Sequence, residues 1–245
     1  MKDDMNRRRT SLFQVSLLQA LSLGDYRGTV TIGELKEHGD IGLGTFDGLD
    51  GEMIMLGGVV YKAAGDGSVS IAEDDVTTPF ANVTFANDDI ADTVSAESFR
   101  EFEKKMRTAL DRNGINSVYF IRIHTVFSSI TVRSIGRQSP PYRKLAEVLS
   151  EEQAVWDHTN IRGTVVGVYC PAYMNMMNNH GWHLHFISDD RRVGGHVLDL
   201  AFDDAECLLT KTDSIDVIIP DTETFRSLDL SQDQERDIRS IEGGR

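Results

Sequence analysis

Three histidines, His183, His185 and His196, fall within fourteen residues in the segment GWHLHFISDDRRVGGHVLDL. Residues two apart on a strand share a face, so His183 and His185 point together while Trp182, Leu184 and Phe186 pack behind them. The run SDDRRVGG then reverses the chain. With Asp189 to Arg192 as the loop, Ile187 pairs with Gly194 and His185 falls directly opposite His196. Directly paired residues on antiparallel strands carry Cβ atoms about 4.5–5.5 Å apart on one face. Three neutral imidazoles converging there suit a divalent cation such as zinc, at Zn–N distances of roughly 2.0–2.1 Å. Three protein ligands without a thiolate is the catalytic pattern, because positions remain for water or substrate. An isolated HxH pair is most often ordinary surface or core histidine; the third ring across a short turn changes the balance. His180 differs in parity from His183 and is expected to face elsewhere. His38, His124 and His158 stand alone and read as structural.

The surrounding elements must hold these rings in place. Leu12, Val15, Leu17, Leu18 and Leu21 have near-helical spacing, which predicts a short amphipathic helix. Residues 28–83 alternate short apolar runs with turn signals such as Asp47-Gly48, Asp50-Gly51 and Gly65-Asp66-Gly67, the signature of hairpins. Ser95 is expected to cap a helix whose stripe is Phe99, Phe102, Met106, Ala109 and Leu110, ending at Gly114. Ser117 to Val132 reads as two strands broken near Ser128-Ser129. Arg143 to His158 reads as a second helix with Leu145, Val148, Leu149 and Trp156 inward. RGTVVGVYC, GWHLHFI, HVLDLAF and SIDVIIP are β-rich, and the polar segment from Asp221 is expected to end in a short helix and tail. The expected fold is α+β: two β-rich α/β subdomains with mixed and antiparallel sheets, a few helices, and the metal site on a hairpin of the C-terminal part. A boundary near residue 160 divides the chain into an N-terminal α/β domain, 1–160, and a C-terminal β-rich domain, 161–245.

Composition narrows the function. The 245 residues carry 25 Lys+Arg against 39 Asp+Glu, a formal charge of −14. That excess argues against nucleic acid or an anionic membrane as partner, since both demand cations. No run approaches the roughly 20 apolar residues of a membrane span. Arg7-Arg8-Arg9 precedes Leu-rich sequence, but polar residues interrupt the run and no small-x-small cleavage site follows, so a cytoplasmic protein is expected. Cys170 and Cys207 are expected to be buried free thiols.

With those residues in view, the chain resembles the alpha-acetolactate decarboxylase family. The resemblance is carried by SLFQVSLLQALSLGDYRGTVTIGELKEHGDIGLGTFDGLDGEMIMLGG, by TVRSIGRQSPPYRKL and by GWHLHFISDDRRVGGHVLDL, in the family's order over nearly the whole chain. It implies that His183, His185 and His196 ligate zinc, that Glu52 of the DGE motif sets a carboxylate beside the metal with Thr45 nearby, and that Arg133 faces the substrate. Glu242 resembles a C-terminal glutamate that folds back to the site, with Glu235 the competing choice. Ile135-Gly136-Arg137-Gln138 departs from the family, where a proline-containing turn is expected. The resemblance further implies a homodimer, and an enzyme that converts (S)-2-acetolactate to (R)-acetoin and CO2 in acetoin and butanediol biosynthesis.

The residue types suit that chemistry. Losing CO2 from a 2-hydroxy-3-keto acid leaves an electron pair that must be delocalised into the neighbouring ketone as an enediolate. A metal chelated by the hydroxyl and carbonyl oxygens serves as electron sink, with no thiamine or pyridoxal cofactor expected. Arg133 orients the departing carboxylate, and Glu52 or Glu242 returns a proton. Taken alone, Glu52 reads as a solvated turn acid, Arg133 as a surface residue and Thr45 as structural; the resemblance lifts them. The Met174-Asn175-Met176-Met177 run reads as an apolar wall rather than a soft-metal site. Two other functions remain compatible with three histidines: a zinc hydrolase, and a metal-binding β protein without turnover.

Overall fold

A computed structural model describes residues 10–175 and 177–231. In chain order the first half comprises β1 (Ser11–Val15), α1 (Leu18–Ser22), β2 (Val30–Thr31), α2 (Ile32–Lys36), β3 (Ile41–Thr45), β4 (Glu52–Leu56) and β5 (Val59–Ala63). There follow β6 (Val69–Ile71), β7 (Thr77–Thr78), β8 (Ala81–Thr84), β9 (Ile90–Ala96), α3 (Phe99–Asn113) and β10 (Tyr119–Ser134). The remainder is α4 (Leu145–Glu152), β11 (Ala154–Cys170), a 3-10 turn (Ala172–Met174), β12 (Gly181–Ser188), β13 (Gly194–Lys211), β14 (Ser214–Ile218) and α5 (Glu223–Ser227). The expected α+β class, with mixed and antiparallel sheets and few helices, is what forms.

Two sheets dominate. One has seven strands in the order β14-β1-β8-β3-β4-β5-β6, with β1 parallel to β14 and its other pairings antiparallel. The other has the order β10-β11-β12-β13-β9, and β10 also pairs with β13, so β10, β11, β12 and β13 close into a ring. Inside the ring and under α3 lies an aromatic core that includes Phe127, Phe186 and Phe202. Val166, Val168 and Ile187 on the ring's outer face meet Leu12, Leu43 and Ile54 of the seven-stranded sheet. Residue 160 falls inside β11, and each large sheet takes strands from both sides of that position.

Several elements differ from the sequence reading. Leu12 to Val15 is a strand, not a helix: β14 flanks it on one side and β8 on the other, burying Leu12, Phe13, Gln14 and Val15 alike. Helical spacing cannot be told from continuous burial in so short a run. Ser16, at φ 62, turns the chain into α1. The cap of α3 is Ser98 rather than Ser95; its side chain accepts from Glu101 N–H, while the Glu101 carboxylate accepts from Glu97 N–H. The helix ends, as read, at Gly114, with φ 103. β10 is one strand, and the Ser128-Ser129 signal marks a slip in its register with β13 instead of an end. α4 stops at Glu152, and Trp156 lies in β11 opposite Val132. Cys170 and Cys207 are buried free thiols, and Met174 belongs to the core between the sheets.

Candidate active site

The hairpin of β12 and β13 has the register that period-two spacing requires: Ile187 opposite Gly194 and His185 opposite His196. The turn is tied by one side chain, Ser188, whose hydroxyl donates to Asp190 Oδ1 at 2.7 Å and accepts from the Val193 N–H at 3.0 Å. On the far side of β13, His196 pairs with Arg133 of β10. His185, His196 and Arg133 therefore form a row across three adjacent strands, on the face turned toward the seven-stranded sheet. Gly195 is what lets β13 lie so close to β10. Its φ is +152, and a Cβ there would meet the Arg133 carbonyl oxygen at 2.5 Å. Gly195→Ala is expected to cost about 1–3 kcal/mol through backbone strain, read as a lower midpoint in urea unfolding.

The three rings meet. His183 Nε2 lies 3.1 Å from His185 Nε2 and 3.1 Å from His196 Nδ1, and the ligand atoms of all three fall within 4.8 Å of one another. A tetrahedral ion with bonds of about 2.0–2.1 Å separates its ligand atoms by about 3.3–3.4 Å, so the spacing fits one cation. The His185 Nδ1–H donates to the Met53 carbonyl oxygen at 2.7 Å, which leaves Nε2 as the lone-pair atom facing the cluster. Burial first, and then the Arg133 guanidinium, push the His183 imidazolium pKa down to about 3. The same two causes, reinforced by the neighbouring rings, hold His196 well below its ordinary value. Both rings are thereby kept neutral, the state a metal ligand needs.

Arg133 is 5% exposed, and its Nε finds no hydrogen-bond partner among the described residues. A buried cation with an unspent donor is costly unless an anion meets it. Glu52 opens β4 with its Oε2 3.5 Å from His185 Nε2. The Thr45 hydroxyl donates to the Gly51 carbonyl at 2.8 Å, pinning the turn just before Glu52. Thr45, Glu52, Arg133, His183 and His196 line one cavity. Glu242 and Glu235 lie outside the described residues. His38 instead stacks on Phe13, and His124 pairs with Asp189 at the surface.

Other residues of the site escaped the sequence reading. Leu18 and Leu21 of α1 and Leu145 and Leu149 of α4 also line the cavity, within a small core shared with Tyr26 and Val148. They read in the sequence as ordinary helix faces, and nothing local says what those faces cover. The segment from Ile135 to Gln138 has a definite task. The Arg137 guanidinium pairs with Asp47 and lies 3.8 Å from Asp50, while Gln138 N–H donates to the Gly48 carbonyl at 2.7 Å. The Ser134 hydroxyl donates to the Ala63 carbonyl at 2.7 Å. The stretch following Arg133 is thus stapled to the turn that presents Glu52.

Known proteins resemble this one over most of its length. The alpha-acetolactate decarboxylase family profile matches residues 12–232. The alpha-acetolactate decarboxylase of Methanosarcina mazei is 38% identical over 247 residues, covering 98% of this chain and 83% of its own. That of Bacillus subtilis (strain 168) is 34% identical over 236 residues, covering 96% and 91%. The crystal structure of the alpha-acetolactate decarboxylase from Bacillus subtilis strain 168 superposes with a TM-score of 0.91 at 32% identity, over 96% of this chain and 100% of that one.

Proposed function

The chain belongs to the alpha-acetolactate decarboxylase family, and from that premise we propose that it is a zinc-dependent carboxy-lyase converting (S)-2-acetolactate to (R)-acetoin and CO2. The observation that carries this reading is the meeting of three buried imidazoles, two of which line one cavity with a buried, incompletely bonded arginine.

His183, His185 and His196 hold the metal. The bound cation supplies Lewis-acid stabilisation of the negative charge that develops on the substrate's oxygens as the carbon–carbon bond breaks. Arg133 binds the carboxylate and fixes the scissile bond in one orientation; its grip weakens as neutral CO2 forms, so its contribution is mainly positioning. The electron pair left by CO2 passes into the adjacent ketone, and the resulting enediolate takes a proton at the carbon that carried the carboxyl group. Glu52, beside His185, is placed to hold that proton, with Glu242 as the second candidate. Delivery from one fixed side of the planar enediolate makes the product a single enantiomer. The leucine roof excludes water, which strengthens each of these electrostatic contacts. Thr45 serves by holding the Gly51 turn.

Chelation of the purified protein is expected to abolish CO2 release from racemic acetolactate, and added zinc to restore it, with one zinc per chain by elemental analysis. Metal-replete protein that hydrolyses activated esters yet yields no acetoin would establish a hydrolase instead. We infer a cytoplasmic homodimer in acetoin formation from the family resemblance. Sedimentation at the 27.3 kDa chain mass alone would reject the homodimer. Among the described residues no helix is long and apolar enough to cross a membrane.

A further inference from the structure

The cavity has two chemically distinct halves. The polar lining engages the oxygens of the substrate, but a 2-hydroxy-3-keto acid also carries an alkyl group on carbon 2, which must meet the apolar lining. That lining comprises Leu18 and Leu21 of α1 and Leu145 and Leu149 of α4, together with Leu49, Phe80 and Ile135. On α4, three- and four-residue spacing sets Leu145, Val148 and Leu149 on one face. Leu145 and Leu149, 4% and 6% exposed, border the cavity, whereas Val148, at 0%, is buried in the same small core but does not line it. The helix is held at its start by Arg143, whose guanidinium pairs with Glu151 at 2.7 Å and whose carbonyl accepts from the Tyr26 hydroxyl at 3.0 Å. The clear space is about 30 Å3, little more than room for two waters. That is less than even the methyl substrate occupies, so lining side chains must yield on binding, and each added methylene asks them to yield further.

We propose that Leu145 and Leu149, facing Leu18 and Leu21, set the upper size of the substrate's 2-alkyl group and make the enzyme selective for methyl over longer chains. The inference rests on the lyase reading of the site. None of the four side chains has a group that reacts, so the roof acts on which substrate is accepted. One misfitting methylene in a hydrophobic pocket changes kcat/KM by about 10- to 200-fold.

The test compares kcat/KM for CO2 release from 2-hydroxy-3-oxobutanoates bearing methyl, ethyl or propyl on carbon 2. Wild type is expected to fall at least about 10-fold per added methylene. Leu149→Ala and Leu145→Ala should each reduce the methyl-to-propyl ratio by about 10-fold or more. Val148→Ala should lower the melting temperature and leave the ratio unchanged. If an alanine variant does not fold, Leu149→Val is measured in its place and should shift the ratio in the same direction. Unchanged ratios in the leucine variants, or an equal shift in Val148→Ala, overturn the proposal. A zinc-loaded wild type that releases no CO2 from any of the three substrates brings down the lyase reading itself, a result distinguishable from lost selectivity.

Discussion

His185→Ala protein will be purified nearly free of zinc and will release almost no CO2 from acetolactate. His185 is 0% exposed, pairs directly with His196, and has its ring orientation fixed by the Met53 carbonyl. Losing even an outer-shell partner typically costs about 10–100-fold in metal affinity or activity, so removing this ligand must exceed that. The substitution also leaves the buried Met53 oxygen without its donor and opens a void, which adds a stability cost of about 1–3 kcal/mol. His124→Ala supplies the control, since that ring sits at the surface against Asp189 and its loss should leave metal content untouched. Stoichiometric zinc in His185→Ala would refute the ligand assignment.

Arg133→Ala should separate binding of the cation from binding of the substrate. The guanidinium stands beside His196 on the neighbouring strand but contributes no ligand atom. The variant should therefore keep its zinc while kcat/KM falls by about 100-fold, the scale associated with a misplaced reacting group. Arg133→Lys keeps the charge but loses the planar fork, and is expected to recover only part of the rate. Near-wild-type kcat/KM in Arg133→Ala would show that the carboxylate is held elsewhere.

The histidine cluster is the most legible part of the molecule because its logic is local. Period two fixes which side chains share a face, and the length of SDDRRVGG fixes which residues face each other; both follow from strand geometry without knowledge of the rest of the fold. Glu52 and Thr45 have no such local signature, since their approach to the histidines depends on β3 and β4 packing on the outer face of the ring. Only the family resemblance raised them. The leucine roof and the Arg137 staple were illegible for a related reason: Leu145 and Asp47 are far from the residues they serve in sequence, and an amphipathic stripe does not declare what it covers. The N-terminal misreading has a different source. Leu12 and Val15 are spaced as on a helix, but burial against two strands left no alternation to see. Trp156 continues the apolar stripe of α4 in the sequence, but Gln153 is already extended and the chain has left the helix before reaching it.

The ring of β10, β11, β12 and β13 bears on the order in which the molecule comes apart. Both flanks of His196 are taken, by His185 on one side and Arg133 on the other, so neither neighbour can peel away as an outermost strand would. The outermost strands of the seven-stranded sheet, β14 and β6, are free to fray and should exchange their amide protons early. The row of His185, His196 and Arg133 should belong to the slow-exchanging nucleus. Activity should then outlast the fraying of β14 and β6, neither of which carries a residue of the cavity.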